Sequence, residues 1–142
     1  MSKINSTLKF KNYIVDTIEY KVNLDYNGEE REIDFDIESS CNLTNNEFIL
    51  ELDLKIYTDA KKNNYPFSMR VKVVGLFEVT AEKDEIIKKE FSERNSIAIL
   101  FPYVRALVTT FTSNANVSPL ILPPINVIKY MEEKNEKKKK NL

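Results

Sequence analysis

The chain has no histidine, and Cys41, Gly28 and Gly75 are its only cysteine and glycines. Without histidine, a Ser-His-Asp or Cys-His nucleophile cannot be assembled. One cysteine can form neither a tetrahedral zinc site nor an internal disulfide, so we expect Cys41 to be a small apolar filler near a strand end. Two isolated glycines make neither a P-loop nor a dinucleotide-binding loop. These absences argue against an enzyme and predict neither a cofactor nor a metal.

Long apolar runs and a strong net charge are lacking as well. The longest nearly unbroken apolar run extends from Ile97 to Val104 and contains Pro102, whereas a membrane-spanning helix needs ~20 such residues. The first residues have no apolar stretch behind Lys3, so we expect no signal peptide. The net charge of −1 argues against nucleic acid as the main partner. We therefore expect a cytoplasmic protein without membrane insertion.

Three carboxylates alternate at Asp34, Asp36 and Glu38. On a strand this spacing places them on one face, where they could hold a hard cation. A calcium loop, however, needs converging ligands and a turn glycine. A charged face in contact with solvent explains the same pattern, and this is the interpretation we adopt.

Alternation of apolar and polar residues dominates the first half of the chain. It predicts one long strand from Leu8 to Leu24, with the even-numbered side chains inward and a bend or bulge at Asp16. Further strands are predicted at 33–38, 48–56 and 67–79. Their short polar connections favour antiparallel pairing, since parallel neighbours require long crossovers.

The period changes to that of a helix after Ala81. We predict a short helix from Lys83 to Phe91 and a second helix capped by Ser96 and kinked or restarted at Pro102. The second helix is apolar nearly all round, and one sheet can cover only one of its sides. A second copy of the chain is the simplest cover, so we predict a homo-oligomer with interface residues Ile97, Leu100, Val104, Leu107, Val108 and Phe111.

The carboxy-terminal part divides into three segments. Three prolines between Ser118 and Pro124 predict an extended segment held against the body. A short helix is then predicted from Ile125 to Glu133. We expect residues 1–133 to form a single domain and the charge run at 134–142 to be a disordered tail.

Two segments together resemble the SecB export-chaperone family. Leu100–Arg105 is similar to the family's leucine-phenylalanine-proline-tyrosine-alanine-arginine run at the start of its long helix. Ser118–Val127 is similar to its proline-x-leucine-x-leucine-x-proline-valine-asparagine-phenylalanine stretch, with Val127 in place of the phenylalanine. Val71 and Gly75–Phe77 resemble the family's fourth strand. The likeness runs from about Leu8 to Glu133.

The resemblance implies an α+β fold in which a four-stranded antiparallel sheet is followed by a long helix and a short C-terminal helix. It also implies a homotetramer, built as a dimer of dimers, that holds unfolded polypeptides in apolar grooves without ATP. Carried over by position, the client-binding candidates are Tyr26, Phe35, Ile121, Leu122, Val127, Tyr130 and Met131. Core packing is the alternative role for each of them.

Export members of the family dock the SecA motor through acidic residues on the outer face of the sheet. The matching positions here are Thr17, Lys21 and Arg70, none of them acidic, so we expect SecA docking to be lost. The chain is also similar to a branch that guards labile antitoxins in toxin–antitoxin modules, so an antitoxin is a candidate partner.

Two alternatives from other classes remain open on the sequence alone. One is an α+β domain that holds a small apolar ligand between sheet and helix. A stable monomer with an internal cavity would support it. The other is a structural interaction protein with one folded partner, which would bind that partner and no unfolded clients.

Overall fold

A computed structural model describes residues 6–29, 32–81 and 85–140, which form an antiparallel sheet covered on one face by helices. The sheet has the order β1-β4-β3-β2, and the long second helix follows it in the chain. This architecture confirms the predicted α+β fold. The elements are β1 (Ser6–Val22), β2 (Phe35–Thr44), β3 (Glu47–Ile56), α1 (Ala60–Asn63), β4 (Phe67–Ala81), α2 (Glu85–Asn114) and α3 (Val127–Lys140).

Strands β2 and β3 form a tight hairpin. Thr44 pairs with Glu47 across the turn, and Asn45 adopts a left-handed backbone with φ 56°, which asparagine tolerates better than most residues. Lys88 of α2 reaches this turn, where its Nζ donates to the Asn45 carbonyl at 3.0 Å and to the Asn46 side-chain oxygen at 2.9 Å. The start of α2 is thereby fixed to one end of the sheet.

The hydrophobic core lies between the sheet and α2. Alternate residues of the two central strands carry it, as the period of two predicts for a sheet with one covered face. The side chains that the structure buries almost completely on these strands are Phe48, Leu50, Leu52, Leu54, Ile56, Val71, Val73 and Val79. From α2 they meet Leu100, Val104 and Val108.

Strand β1 contains two bulges rather than the single one predicted at Asp16. Its pairing with β4 skips Lys11 and Asp16, and each skipped residue reverses which side chains face the core. Tyr13 therefore lies inward, with its ring 4.9 Å from that of Tyr103. Ile14, predicted to be inward, lies on the outer face and is 53% exposed. The even-numbered inward pattern holds only outside the segment between the bulges.

Helix α2 is continuous from Glu85 to Asn114 and contains Pro102, where two helices were predicted. Ser96 does not cap a helix, because it lies in the middle of α2 with its hydroxyl bonded to the Glu93 carbonyl at 3.0 Å. Proline removes one backbone hydrogen bond from a helix interior. Here the packing of α2 along the whole sheet outweighs that loss.

The two sides of α2 differ in their exposure within the protomer, and the oligomer interface stays a prediction. Ile97, Leu100, Val104 and Val108 are at most 4% exposed within the protomer and belong to its core, so they leave little surface for a second copy. Leu107 and Phe111 are half-buried. The open side of α2 instead carries Ala98, Pro102, Tyr103 and Ala106.

After a turn at residues 115–117, in which Asn116 has φ 58°, residues 118–126 run back along α2 without helix or strand. Thr109 donates to the Leu120 carbonyl at 3.0 Å, and the Leu120 amide donates to the Thr112 hydroxyl at 2.8 Å. Arg105 donates to the Leu122 carbonyl at 2.8 Å. Polar side chains of α2 thus supply partners for a backbone whose prolines exclude helix and sheet.

Helix α3 is longer than predicted. It begins at Val127 and continues to Lys140, so residues 134–140 are helical rather than a disordered tail. Lys134 also bonds to the backbone of β2. The last two positions of the predicted tail, 141–142, lie outside the described residues.

Helix α2 also has the length and composition of a membrane-crossing helix. Residues Lys88–Asn114 contain a stretch with a mean hydropathy of 1.3, of which 39% is buried within the protomer. A core helix of a soluble protein has the same properties. The apolar residues of α2 that meet its own sheet account for the buried part.

Candidate functional site

Helix α3 is attached to β2 through an aromatic contact. The rings of Phe35 and Tyr130 are 5.5 Å apart. The Tyr130 hydroxyl donates to Asp36 Oδ1 at 3.2 Å and accepts from the Ile37 amide at 3.3 Å. Burial raises the pKa of Tyr130, so the phenol keeps its proton at neutral pH. Two of the predicted client-binding residues, Phe35 and Tyr130, are thereby in contact.

An ion pair strengthens the same attachment. Lys134 Nζ donates to Asp36 Oδ1 at 2.7 Å and to the Ile37 carbonyl at 2.6 Å. Partial burial favours the protonated form of Asp36, but the hydrogen bond and charge of Lys134 outweigh it, so the pKa of Asp36 is below its usual value. The carboxylate is therefore ionised at neutral pH and holds α3 on β2.

A groove of about 710 Å³ lies between α2 and α3. Its apolar lining comes from Phe91 and Ile97 on α2 and from Ile128 and Met131 on α3. Charged and amide side chains form the rest of the lining, including an ion pair between Arg94 and Glu132. An apolar groove with charged margins suits a ligand that has both apolar and polar side chains.

A second aromatic group, formed by Tyr57 and Tyr65, lies at the start of β2. Tyr26 is in a loop bonded to Asn64 beside this group, and its hydroxyl donates to the Glu29 carbonyl. The rings of Tyr57 and Tyr65 are 4.6 Å apart, and the Tyr65 hydroxyl donates to Asp34 at 3.2 Å. Because Asp34 directly precedes Phe35, this group adjoins the Phe35–Tyr130 contact.

The remaining client-binding candidates differ in exposure. Ile121 is 67% exposed, whereas Leu122, Val127 and Met131 are at most 9% exposed. These three buried side chains are part of the hydrophobic core of the protomer. Of this set, Ile121 is therefore the residue most accessible to a ligand.

Sequence reasoning missed Phe91, Ile128, Tyr57 and Tyr65 as residues of these surfaces. Ile128 and Met131 are three residues apart on α3 and so share a side, which could have indicated a pair. Nothing local indicated the others, because their neighbours come from distant parts of the chain.

The outer face of the sheet carries mixed charges. Thr17, Lys21 and Arg70 all lie on this face, in register with Lys72, Ser68 and Glu19. Arg70 forms a two-pronged contact with Asp53, at 3.0 and 2.8 Å, and this contact lowers the pKa of Asp53. The charge of Arg70 is thus largely neutralised, and Lys21 is the more available of the two cations.

In the described parts of the chain, no group of three histidine, cysteine or acidic residues could hold a metal ion. Burial, together with the charge of Glu93, raises the pKa of Cys41 to about 11, and the thiol donates to Glu93 Oε2 at 3.4 Å. Cys41 therefore stays a protonated thiol near neutral pH, which is a poor nucleophile.

A sheet covered by one long helix, with an apolar groove beside it, defines a binding protein of the α+β class. Residues 8–138 match the family described as preprotein translocase subunit SecB, and the chain belongs to this SecB family. The family points to a chaperone and to a non-enzymatic role.

Two relatives illustrate the range of the family. An uncharacterized protein of Methanocaldococcus jannaschii is 40% identical over 138 residues, which cover 94% of this chain and 88% of that protein. A protein-export protein SecB of Anaplasma phagocytophilum is 32% identical over 83 residues, covering 55% of this chain and 51% of that protein.

Two solved structures share the fold at low sequence identity. A SecB-like chaperone of Mycobacterium tuberculosis, in complex with a ChAD peptide from the HigA1 antitoxin, matches with a TM-score of 0.65 and 13% identity, covering 84% of this chain and 88% of that chain. A Streptococcus agalactiae protein of unknown function matches with a TM-score of 0.54 and 13% identity, covering 84% of this chain and 98% of that chain.

Proposed function

We propose that this protein is an ATP-independent holdase chaperone that works in the cytoplasm and binds non-native polypeptides in apolar grooves of a homotetramer. The observation that carries the proposal is the groove between α2 and α3, lined by Phe91, Ile97, Ile128 and Met131, in a chain of the SecB family. Apolar and Met side chains suit an adaptable surface that accepts many sequences.

Uncovered apolar side chains support the assembly. Val15, Ile18 and Val22 lie on the core side of β1, yet each is 37–44% exposed, because β1 is at the edge of the sheet. Tyr103 on the open side of α2 is 40% exposed. Adjacent apolar surface of this kind usually marks an interface, and a second copy of the chain would cover both elements at once.

The holdase proposal is tested by light scattering from several unrelated unfolded proteins, without nucleotide. Wild type is expected to delay their aggregation. Ile121→Ser should weaken this effect with little change in melting temperature, because the side chain is 67% exposed. Ile14→Ser is the matched control, since Ile14 is also exposed, at 53%, but lies on the outer face. If wild type delays none of the proteins, general chaperone activity is excluded.

A second candidate function is that of a dedicated chaperone for one antitoxin. It is favoured by the fold shared with the Mycobacterium tuberculosis chaperone, which was solved with an antitoxin peptide. On this proposal, a toxin–antitoxin pair lies beside the gene, and the antitoxin is degraded faster in cells that lack this chain. An unchanged antitoxin lifetime would contradict it.

We propose further that the protein does not dock SecA as the export branch does. The outer-face positions Thr17 and Lys21 lack the acidic groups of that branch, and like charges across an interface lower affinity. Thr17→Glu with Lys21→Glu is therefore expected to increase binding of the SecA carboxy-terminal segment, most strongly at low salt. Tight binding by wild type that the substitutions do not improve would return the chain to the export pathway.

A further inference from the structure

Within the residues that the structure describes, strand β2 pairs with β3 alone and forms an edge of the sheet. The Tyr57 amide donates to the Asp34 carbonyl at 2.9 Å, so the backbone groups of even-numbered residues are directed toward β3. In an antiparallel pair, the residues between these direct both their amide and their carbonyl away from the partner strand. Ile37, Ser39, Cys41 and Leu43 therefore present their amides and carbonyls at the free edge.

Side chains of α3 occupy one of these positions. The Ile37 amide donates to the Tyr130 hydroxyl, and the Ile37 carbonyl accepts from Lys134 Nζ. A neighbouring strand would likewise supply one acceptor for the amide of such a residue and one donor for its carbonyl. Tyr130 and Lys134 therefore take the place of strand backbone at Ile37. The further edge positions Ser39, Cys41 and Leu43 lie beyond this contact.

The apolar groove adjoins the same edge. Cys41 on β2 contacts Glu93, and Glu93 lines the groove together with Phe91, Ile128 and Met131. In an added strand, alternate side chains would point to opposite faces. One set would enter the groove and the other would face solvent. Backbone groups and an apolar surface are thus available side by side, which is how strand addition combines affinity with selectivity.

We propose that the free edge of β2, from Ile37 to Leu43, binds an extended segment of polypeptide as an additional strand, releasing Tyr130 and Lys134 from Ile37. The occupant is a segment with alternating apolar and polar side chains, since the free edge requires an extended backbone and the groove takes every second side chain. This inference rests on the proposed polypeptide-binding function and specifies how the polypeptide is held.

Peptide backbone chemistry provides the test. The probe is a short lysine-flanked peptide of alternating leucine and threonine, compared with two derivatives that are N-methylated at every leucine or at every threonine. Only one set of amides can face β2, so one derivative should bind about tenfold more weakly than the parent, from the loss of two hydrogen bonds or more. The other derivative should bind like the parent.

A variant of the chain tests the role of α3. Tyr130→Phe with Lys134→Met removes both groups from Ile37 but keeps the ring beside Phe35. It should bind the parent peptide roughly fivefold more tightly, because the two hydrogen bonds to Ile37 no longer have to be broken. Lys138→Met is the control for loss of an exposed charge on α3. Amide exchange should slow at Ser39, Cys41 and Leu43 when the peptide binds.

The outcomes separate this inference from the proposed function. If wild type holds unfolded proteins and binds the peptide, yet both methylated derivatives bind equally well or equally poorly, strand addition is excluded and the holdase proposal stands. If wild type neither delays aggregation nor binds the parent peptide, both proposals fail. Slower amide exchange confined to the helices would also exclude strand addition.

Discussion

Asp36 is the residue through which pH acts on the attachment of α3. Its folded pKa is lowered, mainly through Lys134 acting against partial burial, so its contribution to stability is present above the unfolded pKa of about 3.9 and is lost as pH falls through the folded pKa. We expect Asp36→Asn to lower the melting temperature at neutral pH. The difference from wild type should disappear in acid below the folded pKa, and a pH-independent difference would contradict this assignment.

Gly75 is required by close packing rather than by an unusual backbone. A Cβ atom at this position would lie 2.8 Å from Phe77 Cε1 and 3.0 Å from Leu100 Cδ2. Leu100 is fully buried and has little room to move. Gly75→Ala is therefore expected to lower the free energy of unfolding by about 1–3 kcal/mol, measured by urea denaturation. An unchanged stability would mean that α2 can shift away from β4.

Among the elements, the segment after α2 is held in part by the hydroxyl of Thr112. Thr112 is fully buried, accepts from the Leu120 amide and donates to the Val108 carbonyl at 2.8 Å. Thr112→Val keeps the shape but leaves a buried amide without a partner, so the free energy of unfolding should fall by about 1–3 kcal/mol. The control is Ser113→Ala, at an exposed neighbour, which should change stability much less.

The elements also show which features the sequence could predict. Strand β3 alternates without interruption, and the structure buries Phe48, Leu50 and Leu52 as predicted. The extra bulge at Lys11 has no local signal, because it is set by pairing with β4. The continuity of α2 through Pro102 was missed for the same reason, since packing on the sheet outweighs the local preference of proline.

At the scale of the whole molecule, the two sides of α2 make opposite predictions for a charged substitution. Val104 is 1% exposed, so Val104→Asp should unfold the protomer. Ala106 lies on the open side, so Ala106→Asp should leave the protomer folded but dissociate the proposed oligomer, because an unpaired charge in an interface costs several kcal/mol. Light scattering with circular dichroism measures both. A wild-type monomer at micromolar concentration would contradict the oligomer.

The site was less predictable than the fold. The family resemblance indicated Phe35 and Tyr130 by position, and these two residues are in contact. They did not reveal that Lys134 and Tyr130 bond to the backbone of β2, nor that Phe91 contributes to the groove. Such contacts join positions far apart in the chain, and no periodic pattern encodes them.

The two bulges of β1 decide which of its residues face the core. Each extra residue, Lys11 and Asp16, reverses the facing of the residues after it, and two reversals cancel, so Leu8 and Tyr20 share the core side. Because neither residue is paired with β4, deleting either one would remove its bulge and leave the remaining pairs and the inward set unchanged. Among related chains, single-residue gaps at these two positions should therefore occur independently of each other. A gap at a paired position of β1 should instead reverse the facing of the residues after it and mark a relative whose outer face presents different residues to its partners.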